Sequence, residues 1–290
     1  MTHHQEPLIP LDESLRPSPF LKWAGGKAQL LEQFEHLFPS SEFRHYYEPF
    51  VGGGAVFFHL YDKGRIRTAS LSDSNGELTN CYQVIRDDVE TLIRLLEEHQ
   101  TNHDHDYYYQ IRALGRQRDS ALTPAERAAR MIYLNRTCYN GLWRVNRKGQ
   151  FNVPMGSYVN PRILDADKLR SVSQALKNVR IYREDFRLVL ERVQTGDFVY
   201  LDPPYVPLNG TSSFTSYTAG DFGLEDQKEL AEVFAALDQK GCLLMLSNSD
   251  TPLVRELYAS YRLETVKATR VINSRTDGRG EINELVVLNY

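Results

Sequence analysis

The stretch FVYLDPPYVPL, residues 198–208, begins as a buried strand and then breaks the usual pattern of strand sequences. Four aromatic or β-branched and aliphatic residues, typical of a core strand, run into Asp202, Pro203, Pro204 and Tyr205. The two prolines remove two backbone N–H donors and restrict φ, so this segment is rigid and its carbonyls point outward without partners. Because ligands bind at the carboxyl ends of strands in a parallel α/β sheet, the stretch predicts a binding site.

These four residues suit a flat base that carries an exocyclic amine, such as adenine. The Asp202 carboxylate and a free proline carbonyl can accept the two N–H groups of the amine, while Tyr205 stacks on the ring. Acceptors placed for the transition state favour the pyramidal amine and aim its lone pair at an electrophilic methyl group. The alternative is a simple proline turn, and the apolar strand before the turn argues against it.

The composition is that of a globular protein. The chain has 290 residues, of which 41% are hydrophobic and 25% charged. No apolar run is long enough to span a membrane, and the first residues lack the pattern of a secretory signal. Cys81, Cys138 and Cys242 fit neither a disulfide framework nor a zinc spacing, so we expect a cytoplasmic protein.

The charge is unevenly distributed along the chain. The net charge is −4. Residues 107–170 nevertheless contain twelve Lys or Arg against four Asp or Glu, a local charge of +8, and the remainder carries −12. A basic segment in an acidic frame is typical of polyanion binding, although a solvated basic surface would show the same pattern.

Strand-like and helix-like segments alternate over most of the chain, which favours an α/β fold with a parallel, doubly wound sheet. The first helix is expected over residues 27–38, and two strands are expected at the end of the chain. Between them the sequence becomes helical, charged and aromatic. We therefore predict a flexible lead at residues 1–19, an α/β domain formed by 20–83 and 165–290, and a helical insertion at 84–164.

A glycine-rich turn lies where the first predicted strand meets a helix. Gly52, Gly53 and Gly54 let the backbone approach a ligand, and Asp73 ends the next strand, where a nucleotide-binding fold places its ribose acceptor. Phe57 stands where a dinucleotide-binding turn would have its third glycine. A nucleoside without phosphates fits better than a dinucleotide, and S-adenosylmethionine is the clearest candidate.

A second glycine segment, FLKWAGGK, precedes this turn at residues 20–27. Lys27 and the adjacent backbone could hold a carboxylate while Trp23 packs on an apolar part of the ligand. A loop around a buried Trp23 is the alternative.

Together with YYEPFVGGG, DPPY and the loop CYNGLWRVNRKGQFNVPMGSY, this segment resembles the Dam-like DNA adenine-N6 methyltransferases. The resemblance covers almost the whole chain from Phe20 onward, with the motifs in the family's order. It implies a Rossmann-like S-adenosylmethionine-dependent methyltransferase fold with a helical DNA-recognition insertion. It also implies that S-adenosylmethionine is converted to S-adenosylhomocysteine without a metal, because the sulfonium is itself the electrophile.

The resemblance also implies roles for residues of the site. Trp23 and Lys27 would contact the methionine part of the cofactor, with the turn from Phe50 to Gly54 beneath it. Asp73 would accept from the ribose hydroxyls, and Asp185 and Phe186 would hold the cofactor's adenine. The catalytic segment would comprise Asp202, Pro203, Pro204 and Tyr205, with Asp202 and the Pro203 carbonyl accepting from the target N6.

The loop at residues 138–158 has the parts needed to read duplex DNA around a flipped base. Tyr139 can wedge into the stack, Asn140 can bond an orphaned base, and Arg144 can contact a guanine. Leu142 and Pro154 can meet a thymine methyl group. The expected phosphate contacts are Arg136, Arg147, Lys148 and Arg162. The resemblance adds Lys22 as a contact to the outer guanine of a GATC site, and Trp143 is a departure that could pack beneath the loop.

Two other functions stay open at this point. An enzyme that methylates cytosine N4 or RNA would share the glycine turn and a similar proline motif. A catalytically silent DNA-binding module would keep the fold without the reaction. The preferred hypothesis is a DNA-associated, monomeric enzyme of prokaryotic or viral type that acts on double-stranded DNA and binds neither a metal nor a membrane.

Overall fold

A computed structural model describes residues 16–114, 122–205, 222–269 and 281–290. Most of the predicted lead at residues 1–19 lies outside these ranges. The described strands are β1 (Tyr46–Glu48), β2 (Ala69–Asp73), β3 (Val179–Arg183), β4 (Phe198–Leu201), β5 (Leu243–Ser249), β6 (Arg262–Thr269) and β7 (Glu281–Leu288). The described α-helices are α1 (Leu31–Phe34), α2 (Ala55–Asp62), α3 (Gly76–Asp87), α4 (Val89–Thr101), α5 (His105–Leu114), α6 (Pro124–Thr137), α7 (Ala166–Leu176), α8 (Leu224–Gln239) and α9 (Pro252–Leu257).

The described strands form one seven-stranded sheet in the order β3-β2-β1-β4-β5-β7-β6. The first five strands along the chain pair in parallel. The mixed α/β fold predicted from the sequence is therefore confirmed. The strand order reverses between β1 and β4, and their carboxyl ends form the crevice in which such sheets bind ligands.

Both faces of the sheet are covered, as its sequence pattern requires. Along β4, Phe198 and Tyr200 join one core with α2, α3 and α6, while Val199 and Leu201 join the other with α8 and α9. All four side chains are fully buried. Successive strand residues point to opposite faces, so a strand buried on both faces reads as a continuous apolar run.

The end of the sheet differs from the parallel arrangement expected. Strand β7 is antiparallel to both β5 and β6 and lies between them. Only residues 270–280 connect β6 to β7, which is too short for a crossover helix, so the two strands pair as a hairpin.

The helix expected over residues 27–38 is also shorter than predicted. Lys27–Leu30 forms a 3₁₀ turn and α1 ends at Phe34. Leu37 and Phe38 still pack into the core, but as turns whose N–H groups donate to the Phe34 carbonyl. The helical spacing of these apolar residues therefore predicted their burial correctly, but it did not predict where the helix ends.

The helices α4, α5 and α6 come from the segment predicted as an insertion. Helix α6 begins with the expected capping box, in which Thr123 and Glu126 bond each other's backbone N–H. The segment packs through α6 onto α3 and shares the core of one sheet face. The proposed boundary at residue 84 falls within α3, whereas the boundary at 164 falls directly before the N-cap of α7, Asp165.

Candidate active site

The centre of the site is an ion pair between the two segments singled out first. Lys27 Nζ lies 2.8 Å from Asp202 Oδ2, and the lysine side chain is 4% exposed. The same ammonium lies 4.7 Å from the ring centroid of Tyr205. Asp202 Oδ1 is buried and has no hydrogen-bond partner among the described residues. The fold thus brings FLKWAGGK and DPPY together around one half-paired carboxylate.

The Asp202 carboxylate is buried close to two other carboxyl groups, those of Glu48 and Glu284. Burial raises the pKa of Asp202 to about 6, although Lys27 opposes the rise. Burial also raises the pKa of Glu48, at the end of β1, to about 8, while its hydrogen bond from Tyr46 opposes the rise and the charge of Asp202 adds to it. Tyr205 Oη donates to Glu284 Oε2 at 2.7 Å. The site therefore holds its charges out of water, where electrostatic interactions are strong.

The glycine turn forms a tight cradle beside this pair. Gly52 N–H donates to Asp73 Oδ2 at 3.2 Å, and Asn75 N–H donates to Asp73 Oδ1 at 2.9 Å. Gly54 has a φ of +68°, and a Cβ there would lie 2.6 Å from the hydroxyl oxygen of Tyr82. A Cβ on Gly52 would lie 2.9 Å from the Trp23 ring. Trp23, the glycine turn and Asp73 therefore lie side by side at one candidate binding site.

The residues expected to hold the cofactor's adenine also lie together. Phe50 and Phe186 stack with ring centroids 5.3 Å apart. Asp185 accepts from Arg187 N–H and from Arg187 Nη1 at 2.8 Å. Phe222, which the sequence reasoning did not single out, packs edge-on against Phe50 with ring centroids 5.8 Å apart.

The loop at residues 138–158 has one buried face and one exposed face. Two isolated β-bridges, Cys138 with Met155 and Val145 with Phe151, draw its arms together. Trp143 is buried and packs against Phe151 beneath the loop, with ring centroids 4.8 Å apart. Tyr139 is 57% exposed, and Arg144 Nε donates to Asn152 Oδ1 at 2.9 Å. The exposed members of the set predicted to contact DNA are Lys22, Tyr139, Asn140, Arg144, Arg147, Lys148, Pro154 and Arg162, and the half-buried members are Arg136 and Leu142.

A buried amide joins this loop to the glycine segment at residues 20–27. Asn135 Oδ1 accepts from Lys22 N–H, and Asn135 Nδ2 donates to the carbonyls of Lys22 and Gly141, all at 2.8 Å. Arg136, a predicted phosphate contact, donates from Nη2 to the Phe20 carbonyl at 2.6 Å. The base of the loop is thus anchored on the segment that carries Trp23 and Lys27.

The sequence reasoning missed four polar residues of this site: Glu48, Asn135, Gln227 and Glu284. Glu48 stands in YYEPF at the end of β1, so its position before the glycine turn was an available signal. The other three gave none, because their neighbours are far away in the sequence.

Within the ranges that the structure describes, no helix is long and apolar enough to cross a membrane. Over the same ranges, no three His, Cys, Asp or Glu side chains form a group that could hold a metal ion.

Similarity to known proteins covers nearly the whole chain. Residues 23–272 match the family of D12 class N6 adenine-specific DNA methyltransferases. The type II methyltransferase M1.LlaDCHI of Lactococcus lactis subsp. cremoris is 46% identical over 94% of this chain and 95% of its own length. The type II methyltransferase M.MjaIII of Methanocaldococcus jannaschii is 45% identical over 94% and 99%, respectively. The DNA adenine methylase of Escherichia coli (strain K12) is 37% identical over 93% and 94%.

Proposed function

Because the chain belongs to the D12 class of N6 adenine-specific DNA methyltransferases, we propose that it methylates N6 of an adenine flipped out of duplex DNA, within GATC, using S-adenosylmethionine. The half-paired Asp202 carboxylate carries the proposal: Oδ2 pairs with Lys27, and Oδ1 is buried without a partner among the described residues. A buried acceptor without a donor is costly, and a substrate N–H would satisfy it.

The residues around the glycine turn fit the cofactor. The turn presents backbone without a side chain at Gly52, beside Trp23, and at Gly54, beside the Tyr82 hydroxyl. Asp73, held by two backbone N–H groups, offers its remaining lone pairs to the ribose hydroxyls. Asp185 and Phe186 would take the adenine, and Lys27 the carboxylate of the methionine part. S-adenosylmethionine would supply the electrophilic methyl group on its sulfonium.

The segment from Asp202 to Tyr205 would prepare the target amine for attack. Asp202 Oδ1 and the Pro203 carbonyl would accept the two N6 hydrogens, which favours the pyramidal amine, while Tyr205 stacks on the base. Pro204 keeps this stretch rigid. Lys27 holds Asp202 in place through Oδ2, and its charge favours the ionised carboxylate that can accept.

The exposed loop would hold the duplex while the base is out of the stack. Tyr139 would fill the gap and Asn140 would bond the orphaned thymine. Arg144 and Lys22 would contact the two guanines of the site, and Leu142 and Pro154 a thymine methyl group. Residues 84–164 would serve as the recognition domain, and 20–83 with 165–290 as the catalytic domain.

Incubation with methyl-labelled S-adenosylmethionine and two duplexes, one with GATC and one with that site scrambled, tests the function. The products are digested to nucleosides and separated. We expect N6-methyladenine only from the GATC duplex, and none from the Asp202→Ala variant, which should still bind DNA.

Each other outcome removes a defined part of the proposal. Equal product from both duplexes would refute GATC recognition and keep the chemistry. Methylated cytosine from either duplex, or no transfer to either duplex, would refute adenine in duplex DNA as the substrate. Normal turnover by the Asp202→Ala variant would refute the catalytic site.

A further inference from the structure

Two fully buried amides connect strand β5 to the catalytic segment. Gln227 lies in the first turn of α8 and Asn248 near the end of β5, and both are 0% exposed. Asn248 Nδ2 donates to Gln227 Oε1 at 3.0 Å, and Gln227 Nε2 donates to the Pro204 carbonyl at 2.9 Å. Ser249 N–H donates to Asn248 Oδ1 at 2.8 Å. We call this chain of hydrogen bonds, from Ser249 to Pro204, the amide relay.

The direction of the amide relay is set by the backbone at both ends. The Ser249 N–H can only donate, so Asn248 Oδ1 must accept and Nδ2 must donate. Gln227 then accepts through Oε1, which leaves Nε2 to donate to the Pro204 carbonyl, a group that can only accept. Every amide atom used has its required partner, so neither side chain can flip without breaking two bonds.

The catalytic segment needs such an anchor because its sequence lacks the ordinary one. Pro203 and Pro204 have no N–H, so the backbone there can be held only through its carbonyls. Gln227 takes the Pro204 carbonyl, and the hydrogen bonds among the described residues leave the Pro203 carbonyl unused. With φ restricted at both prolines, only ψ of Pro204 remains free between the two carbonyls, so holding the Pro204 carbonyl restricts the direction of the Pro203 carbonyl. It also restricts the position of Tyr205, whose hydroxyl is held at its other end by Glu284.

We propose that Gln227, supported by Asn248, is a positioning residue that aims the Pro203 carbonyl and Tyr205 at the target amine. This inference rests on the proposed function, because the aim matters only if that carbonyl accepts from substrate. A misplacement of about 1 Å in a reacting group can cost about 100-fold in rate, so loss of the relay should lower the rate of transfer. Neither Gln227 nor Asn248 needs to contact the cofactor or DNA.

The chain offers a matched control at the other end of the same two elements. Asn289 accepts from Leu244 N–H of β5 and donates to Asp238 of α8 and to the Cys242 carbonyl. It joins α8 to β5 at the amino end of the strand, away from the site. A substitution there removes a comparable amide without touching the catalytic segment.

The experiment measures single-turnover methyl transfer at saturating cofactor and DNA for wild type, Gln227→Leu, Gln227→Glu and Asn289→Leu. The DNA is the GATC duplex or, if wild type does not methylate it, genomic DNA without adenine methylation. We expect Gln227→Leu to slow transfer about 10–100-fold with cofactor and DNA affinities changed less than about threefold. Asn289→Leu should lower the unfolding temperature and leave the rate within about twofold of wild type.

The pH dependence of the rate in the Gln227→Glu variant distinguishes a positioning role from a purely structural one. A protonated carboxyl can donate to the Pro204 carbonyl and accept from Asn248, whereas a carboxylate cannot donate. Its rate relative to wild type should therefore fall as pH rises. A flat ratio between pH 6 and 9, or a folded Gln227→Leu variant with the wild-type rate, would overturn the inference.

Two further results separate the possible failures. An equal loss of rate in Asn289→Leu would reduce Gln227 to a structural residue. If wild type itself transfers no methyl group to adenine in any of the DNA substrates, the proposed function fails, and the relay no longer bears on catalysis.

Discussion

At the scale of single residues, the protonation of Asp202 should set the acid limit of activity. Burial raises the pKa of Asp202 to about 6, and only the carboxylate can accept from both an N6 hydrogen and Lys27. As pH falls through about 6, the proton removes this acceptor, so kcat/KM for DNA should fall about tenfold per pH unit. Saturating cofactor excludes a contribution from Asp73, whose pKa burial also raises to about 6.

The measurement is a pH–rate profile with DNA affinity followed at each pH. A profile that stays flat down to pH 5 while the protein remains folded would contradict the assigned role. A parallel fall in DNA affinity would instead place the effect in binding.

Two glycines with nearly the same φ allow the effect of backbone strain to be measured apart from the effect of steric crowding in the glycine turn. Gly54 and Gly64 have φ of +68° and +67°, but only at Gly54 would a Cβ meet a neighbour, the Tyr82 hydroxyl at 2.6 Å. Gly64→Ala should cost about 1–2 kcal/mol of stability from strain alone. Gly54→Ala should cost more than Gly64→Ala and weaken cofactor binding at least tenfold.

Urea unfolding and calorimetric titration with S-adenosylmethionine check this pair. Equal stability losses would show that the turn accommodates a methyl group. Unchanged cofactor affinity in Gly54→Ala would place the cofactor elsewhere.

At the scale of elements, Asn135 joins helix α6 to both the glycine segment at residues 20–27 and the loop at residues 138–158. Its replacement by Ala leaves Lys22 N–H and the carbonyls of Lys22 and Gly141 without their partner. We expect a loss of about 2–4 kcal/mol in the free energy of unfolding. Weaker binding of cofactor and DNA together should accompany it.

Asn80→Ala is the control for this change, since Asn80 Nδ2 makes a partly buried hydrogen bond to the Pro124 carbonyl at the far end of α6. It should cost about 1 kcal/mol and leave both affinities unchanged. Denaturant unfolding and two binding titrations decide; similar losses of affinity in the two variants would refute the coupling role of Asn135.

We expect specificity and affinity to depend on different residues of the loop at residues 138–158. Arg144, oriented by Asn152, should discriminate one guanine, so Arg144→Ala should cost about 1–3 kcal/mol of selectivity at that base pair. Arg147→Ala, at the exposed tip, should weaken all sequences alike. A panel of single-base variants of the site measures both, and unchanged selectivity in Arg144→Ala would refute its assignment.

At the scale of the whole molecule, the charge distribution should govern DNA binding more than the net charge of −4 does. Loss of Arg147 and Lys148 together should lower the slope of log affinity against log salt by about 1–2. The charge-matched control removes Lys177 and Arg180, which are exposed at the amino end of β3, away from the carboxyl ends of the strands that form the site. Equal slopes for the two double variants would place the DNA elsewhere.

The sequence alone determined the chemistry of the chain and its α/β frame. Consecutive apolar residues predict a strand buried on both faces, and two prolines one residue beyond its end predict a rigid segment at the ligand-binding end. Such signals are local, because side-chain period and turn chemistry act over a few residues. The capping box of α6 and the strands ending at Asp73 and Leu201 were visible for the same reason.

Only the tertiary structure decided which distant groups bond to one another within the site. The pairing of Lys27 with Asp202, the bond from Tyr205 to Glu284 and the amide relay through Gln227 join residues far apart in the chain. The position of β7, antiparallel and between β5 and β6, is also decided by the tertiary structure, since the order of strands depends on which strand edges are free to pair. Partner choice across such separations leaves no periodic trace in the sequence, because the free energy that selects it arises when buried polar groups meet their partners during folding.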